Sequence, residues 1–215
     1  YPVPPPEAAT YADDPRIEIS HREISLMELA VPEFSTMHEN AGDLPSECIF
    51  IFAHELMTEM FIGNYNIPSY AIWLSGQDLE GLYRYHRDFL KVLQWKNPGG
   101  RWVMKAPSHL SQLPTLFEVY PDARVVVTHR DPLKALGSLC NLMAAIQWMH
   151  SDEVDYAAIV ATMSMGCAYL VERSMRLRRE GSLPADRITD LVHADLVADP
   201  VAALAAVYGD LSLGD

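Results

Sequence analysis

Two cations stand where two apolar runs end. In RWVMKAPSHLSQLPTLFEVYPDARVVVTHRDPLKALGSL, residues 101–139, Lys105 closes the first run and Arg130 the second; His109 follows the lysine by four positions and Ser138 follows the arginine by eight. An ammonium, a guanidinium and a hydroxyl at the start of a helix make up the donor set of an anion site for phosphate-like groups. Arginine offers a planar fork of donors, and helix N-terminal N–H groups point at the same place. His109 adds a group whose free pKa of about 6.5 suits proton transfer at neutral pH. Each residue also has a structural reading. Arg130 beside Asp131 can be an ion pair at a helix start, and Lys105 a solvated residue at a strand end. The placement of both cations at corresponding ends of neighbouring strands favours a ligand.

The elements that must position these residues follow from the pattern around them. RWVMK reads as a buried strand, SQLPTLFEVY as a short helix, PDA as a turn and RVVVTH as a second strand. DPLKALGSLCNLMAAIQWM then reads as a helix, with Asp131 as N-cap and Pro132 at the first helical position. A long helix is expected from VDYAAIVATMSMGCAYLVERSMRLRRE, and RITDLVH is a third strand candidate. Strand, helix and strand in alternation predict a parallel α/β unit with a right-handed crossover, whose ligands lie beyond the carboxyl ends of the strands. From Ile17 to about Trp95 the period is helical. SHREISLMELA, PSECIFIFAHELMTEMFIG, with Pro45 and Ser46 as its start, and QDLEGLYRYHRDFLKVLQW predict helices, Pro68 interrupts NYNIPSYAIWL, and NPGG at 97–100 predicts a turn.

Bulk properties narrow the partners. A chain of 215 residues that is 49% hydrophobic can bury a real core. A formal charge of −13 and a pI near 4.9 exclude the basic stripe of a nucleic-acid binder, while a few focused cations can still hold a small anion. Cys48, Cys140 and Cys167 are odd in number and widely spaced, as expected of thiols in the reducing cytoplasm. No apolar run reaches the roughly 18 residues of a membrane span. The chain opens on the proline-rich YPVPPPEAATYADDPR and closes on ALAAVYGDLSLGD, endings expected of the middle of a longer protein.

WVMKAPSHL, PDARVVVTHRDPLKALGSL and LVHADLVADP resemble the sulfotransferase family, in particular its bacterial-type members. PVPPPE, DPR, PSEC and YAIWL extend the likeness to roughly residues 3–208. The resemblance implies transfer of a sulfuryl group from 3′-phosphoadenosine-5′-phosphosulfate to an acceptor hydroxyl or amine, without a metal. It also implies an α/β, P-loop NTPase-like three-layer fold with a parallel sheet and a helical acceptor-side region. The family's 3′-phosphate motif is a strand ending in Arg-Asp-Pro with a serine eight residues after the arginine, matched by Arg130 and Ser138. Its lysine ahead of a proline, at the end of the preceding strand, matches Lys105 and Pro107.

In that reading Lys105 and His109 are catalytic, the lysine on the transferring group and the histidine as general base. Arg130, Ser138 and His193 bind the nucleotide, His193 lying near the adenine or else capping a strand. The histidine departs from the family's pattern, following the lysine by four where cytosolic members have two; other branches use a glutamate elsewhere. Residues 1–100 form the helical acceptor-side region and 101–215 the half that binds the 3′-phosphate. The family's Pro-x-x-Gly-Thr-Thr-like 5′-phosphosulfate loop is not in these residues and is expected before Tyr1, so the chain alone is expected to be inactive.

His38, Glu39 and His54 either face the acceptor or take part in packing. Tyr65, Tyr70, Trp73, Tyr83, Tyr85 and Trp95 either line its pocket or fill a helical core. Strand alternation sets His129 opposite its neighbours and predicts it buried. The acceptor class, whether carbohydrate, lipid or small molecule, stays open. So do two other activities: a P-loop kinase-like phosphotransferase and a non-catalytic nucleotide-binding remnant.

Overall fold

A computed structural model of the chain describes residues 8–95 and 99–214. Most of the proline-rich opening, residues 1–7, and two positions of the turn expected at 97–100 lie outside the described residues. The chain divides into two compact units, residues 1–106 with 140–160 and residues 107–139 with 161–215.

The first unit is helical. Asp14 opens α1 (Pro15–Ala30) by accepting the Arg16 N–H at 2.9 Å, with Pro15 in the first turn, where its missing N–H costs nothing. Val31 and Phe34, the latter opening α2 (Phe34–Met37), pack on Ala145 with Met27, Leu142, Ile146 and Met149 around them. The single helix expected over 45–63 is instead two short ones, α3 (Ile49–Ala53) and α4 (Met60–Asn64). The cause is Thr58, fully buried between them. Its hydroxyl donates to the Ile49 carbonyl at 3.0 Å and accepts the Met60 N–H at 3.2 Å, while Tyr70 Oη accepts the Thr58 N–H and donates to the Leu56 carbonyl. Side chains thus satisfy the backbone groups that a continuous helix would have paired.

Pro68 starts α5 (Pro68–Ser75) rather than merely ending a helix, and α6 (Glu80–Gln94) follows as expected. On α6, Tyr83 and His86 are buried against Phe52, with ring centroids 5.5 and 5.2 Å apart. Burial pushes the His86 imidazole down to about 4, so it sits in this core as a neutral ring.

The second unit holds the sheet. A 3₁₀ turn over 107–111 leads into α7 (Leu113–Val119), which buries Leu113, Leu116, Phe117 and Val119. β1 (Val125–His129) then pairs in parallel with β2 (Ile188–Val192), Val125 opposite Ile188 and His129 opposite Val192. Between them run α8 (Pro132–Trp148) and α9 (Tyr156–Arg179), both at the predicted places. α10 (His193–Ala198) and α11 (Pro200–Asp210) close the chain, Leu191, Val207 and Leu211 packing with Leu196, Ala203 and Leu213.

RWVMK does not form the strand expected of it. Val103 is 92% exposed, and the Lys105 carbonyl accepts the Cys48 N–H at 2.9 Å, a contact with the start of α3 instead of a rung of a ladder. A strand is stabilised by cross-strand partners and a buried face, and among the described residues this run has neither.

Candidate anion and sulfuryl-transfer site

In the second unit the end of β1 carries the nucleotide-reading candidates. Asp131 turns its carboxylate onto the N-terminus of α8, where Oδ1 accepts the N–H groups of Leu133 at 2.9 Å and Lys134 at 3.0 Å. That capping role replaces the Arg130–Asp131 ion pair of the structural reading. Arg130 is exposed and makes no hydrogen bond or ion pair among the described residues. Ser138 is exposed on α8, two helical turns from the cap. Because His129 lies opposite Val192 in parallel register, the next residues, Arg130 and His193, leave adjacent strands at the same end. Neighbouring strands run about 4.8 Å apart, which sets these two residues close together. A guanidinium with no polar partner among the described residues, beside a helix start and a hydroxyl two turns on, fits a phosphate group.

His129 corrects the expectation of burial, its side chain being 50% exposed. Its Nε2 lies 2.6 Å from Asp190 Oδ1, and Arg178 clasps the same carboxylate from the last turn of α9, Nη1 to Oδ1 at 2.7 Å and Nη2 to Oδ2 at 2.6 Å. Polar partners on that face of the sheet take the place of apolar cover. The Arg178 hydrogen bonds, helped by His129, hold the Asp190 carboxyl down at about 2 against its partial burial. This network was missed in the sequence, although an aspartate in mid-strand and the Arg-rich end of the preceding helix both signalled it.

A depressed carboxylate stabilises the fold above its unfolded value of about 3.9 and loses that contribution as pH falls toward 2. Asp190→Asn should therefore lower the Tm at neutral pH by a margin that shrinks from about pH 5 downward and vanishes only below about pH 2. Solvent screening limits that margin to about 1 kcal/mol or less. Thermal unfolding of both proteins across that range measures it, and a margin that stays constant with pH would remove the ion pair as its cause.

His109, also in this unit, sits half-buried on the 3₁₀ turn of 107–111. That turn is tied to α9 by Arg173, whose Nε donates to the Ser111 carbonyl at 2.6 Å.

Lys105 belongs to the first unit. Its ammonium lies against the Glu47 carboxylate, and His38 Nε2 is 4.0 Å from the same Glu47 oxygen. The structure thus brings together two residues read separately in the sequence, through a glutamate not singled out there. His54 instead meets Tyr85, Nδ1 to Oη 3.2 Å, while Glu39 is exposed. Of the aromatic set, Tyr83 fills the core and Tyr70 braces the α3–α4 break, whereas Trp73 and Trp95 are exposed. Among the described residues no helix is long and apolar enough to cross a membrane.

The family model for sulfotransferases matches residues 1–214, essentially the whole chain. The chain is a member of the sulfotransferase family. Two solved structures agree with that assignment. Sulfotransferase STF9 from Mycobacterium avium is 29% identical with a TM-score of 0.83, the match covering 99% of this chain and 55% of that one. Sulfotransferase STF1 from Mycobacterium tuberculosis gives 29% and 0.83, with 99% and 57% covered. This sulfotransferase-family chain therefore has the family's α/β, P-loop-like fold and spans a little over half the length of those proteins. No curated protein sequence matches it.

Proposed function

We propose that the protein transfers a sulfuryl group from 3′-phosphoadenosine-5′-phosphosulfate to the hydroxyl or amine of a small-molecule, carbohydrate or lipid acceptor, in the cytoplasm and without a metal. The observation that carries this reading is the end of β1, where Arg130 stands exposed and unpaired among the described residues beside the capped start of α8, with His193 leaving the neighbouring strand. Arg130 and Ser138 hold the 3′-phosphate of the donor and His193 lies by its adenine. Residues 101–215 serve the nucleotide and 1–100 the acceptor.

Sulfuryl transfer resembles phosphoryl transfer, a loose in-line displacement in which the protein mainly positions groups and balances charge. The acceptor oxygen or nitrogen forms its bond to sulfur as the bond from sulfur to the bridging phosphate oxygen breaks. Lys105 neutralises the charge that collects on that leaving oxygen, and His109 takes the acceptor's proton.

The test is sulfuryl transfer by the full-length protein and by its His109→Ala variant. The variant should keep donor affinity, lose most turnover, roughly 10²–10⁴-fold, and lose the acidic limb of the pH–rate profile. Near-normal kcat with that limb intact would move the base to another residue. Absence of any transfer by the parent, with phosphoryl transfer from a nucleoside triphosphate in its place, would favour a kinase-like activity instead.

A further inference from the structure

Lys105 does not stand alone in solvent: its ammonium is held by Glu47. The glutamate side chain is the most sheltered of its cluster, 19% exposed against 67% for Lys105 and 47% for His38. Backbone contacts fix all three. The Lys105 carbonyl accepts the N–H of Cys48, next to Glu47, at 2.9 Å; the His38 N–H donates to the Phe34 carbonyl at 3.0 Å, and the His38 imidazole stacks on the Phe34 ring, centroids 6.1 Å apart.

A lysine paired with a carboxylate presents little net charge, so an arriving sulfonate has to compete for it. Once the ammonium leaves, a sheltered carboxylate without a cation is unfavourable. The group placed to cover it is His38, 4.0 Å from the same oxygen, which becomes a cation by taking up a proton.

We propose that Glu47 is a positioning residue that exchanges counter-ions: it holds Lys105 in the donor-free protein, yields it to the donor's sulfonate, and is then paired by His38, which takes up a proton. This inference rests on the reading of Lys105 given above. The proton comes from the buffer, converts neutral imidazole to imidazolium, and returns to the buffer when the desulfated nucleotide leaves and Lys105 resumes its pair. No bond to sulfur involves Glu47 or His38. Among the described residues, Cys48 and Glu39 neighbour the cluster in the chain, and Glu59 acts on Cys48. The Cys48 thiol is pushed up to about 11, chiefly by burial, and stays neutral throughout; Glu39 is exposed and follows His38 in the chain. Because binding consumes a proton, donor affinity is higher at low pH and declines as pH rises.

The experiment is calorimetric titration of the full-length protein with 3′-phosphoadenosine-5′-phosphosulfate, in buffers of different ionisation heat at one neutral pH. Wild type should take up a substantial fraction of one proton more than His38→Gln does. Glu47→Gln should lose the same increment and, with Lys105 no longer held, bind donor about two- to fivefold tighter. Equal proton uptake by wild type and His38→Gln would overturn the exchange. Should Glu47→Gln fail to fold, His38→Gln, a change at a half-exposed side chain, decides the matter alone. Sulfuryl transfer measured alongside separates the two failures: transfer without the proton increment sinks only the exchange, whereas no transfer and no donor binding by wild type sinks the reading of Lys105 with it.

Discussion

Lys105→Ala in the full-length protein is expected to lower kcat for sulfuryl transfer by roughly 10²–10³-fold, by analogy with removal of one preorganised oxyanion donor, while donor Kd changes far less. An interaction that strengthens as the bond from sulfur to the bridging oxygen breaks appears in kcat; one equally strong throughout appears in KM and Kd. The ground state blunts any binding loss further, because Lys105 is already satisfied by Glu47 before a donor arrives. Single-turnover rates with donor saturating, beside direct donor titration, separate the two quantities. A variant that loses affinity and keeps kcat would make Lys105 a plain anion ligand.

Arg130→Ala is expected to weaken binding of 3′,5′-diphosphoadenosine by on the order of 10- to 100-fold, the loss of one charge-assisted hydrogen-bond set, and to leave AMP binding nearly unchanged. The contrast between the two nucleotides isolates the 3′-phosphate. Since Arg130 is exposed and makes no hydrogen bond or ion pair among the described residues, its removal breaks no polar contact there, and a nearly unchanged Tm should accompany the loss. Equal weakening of both nucleotides would show that the arginine does not read the 3′-phosphate.

What the sequence revealed depended on how local the cause was. β1 was legible because three successive valines are bounded by a turn and an Arg-Asp-Pro helix start, and the cap on α8 because Asp131 and Pro132 carry their conformational preferences with them. RWVMK carries the same apolar signal, yet a strand exists only with a partner, and partners are not written in the run itself. The break between α3 and α4 depends on Tyr70, twelve residues beyond Thr58, whose hydroxyl answers the backbone there. The site divides the same way. Arg130, Ser138 and Lys105 were candidates by type and spacing, the lysine at the end of a strand that the structure does not form, whereas Glu47 lies 58 positions before the lysine it holds and Asp190 lies 61 positions after His129. Ion pairs over such separations are settled by the fold and leave no periodic trace in the sequence.

The parallel register of β1 and β2 has a consequence for how the protein folds. A contiguous phosphate loop carries its donors in one turn, but Arg130 and His193 become neighbours only after α8 and α9 have been laid down between their strands. Such non-local pairing closes a long loop before it gains any contact, and it forms late and slowly compared with helices. A ligand that needs both residues has nothing to grip in a partly folded chain. If the nucleotide of the proposed reaction binds there, its binding energy goes to the native state alone, and the Tm should rise with nucleotide concentration.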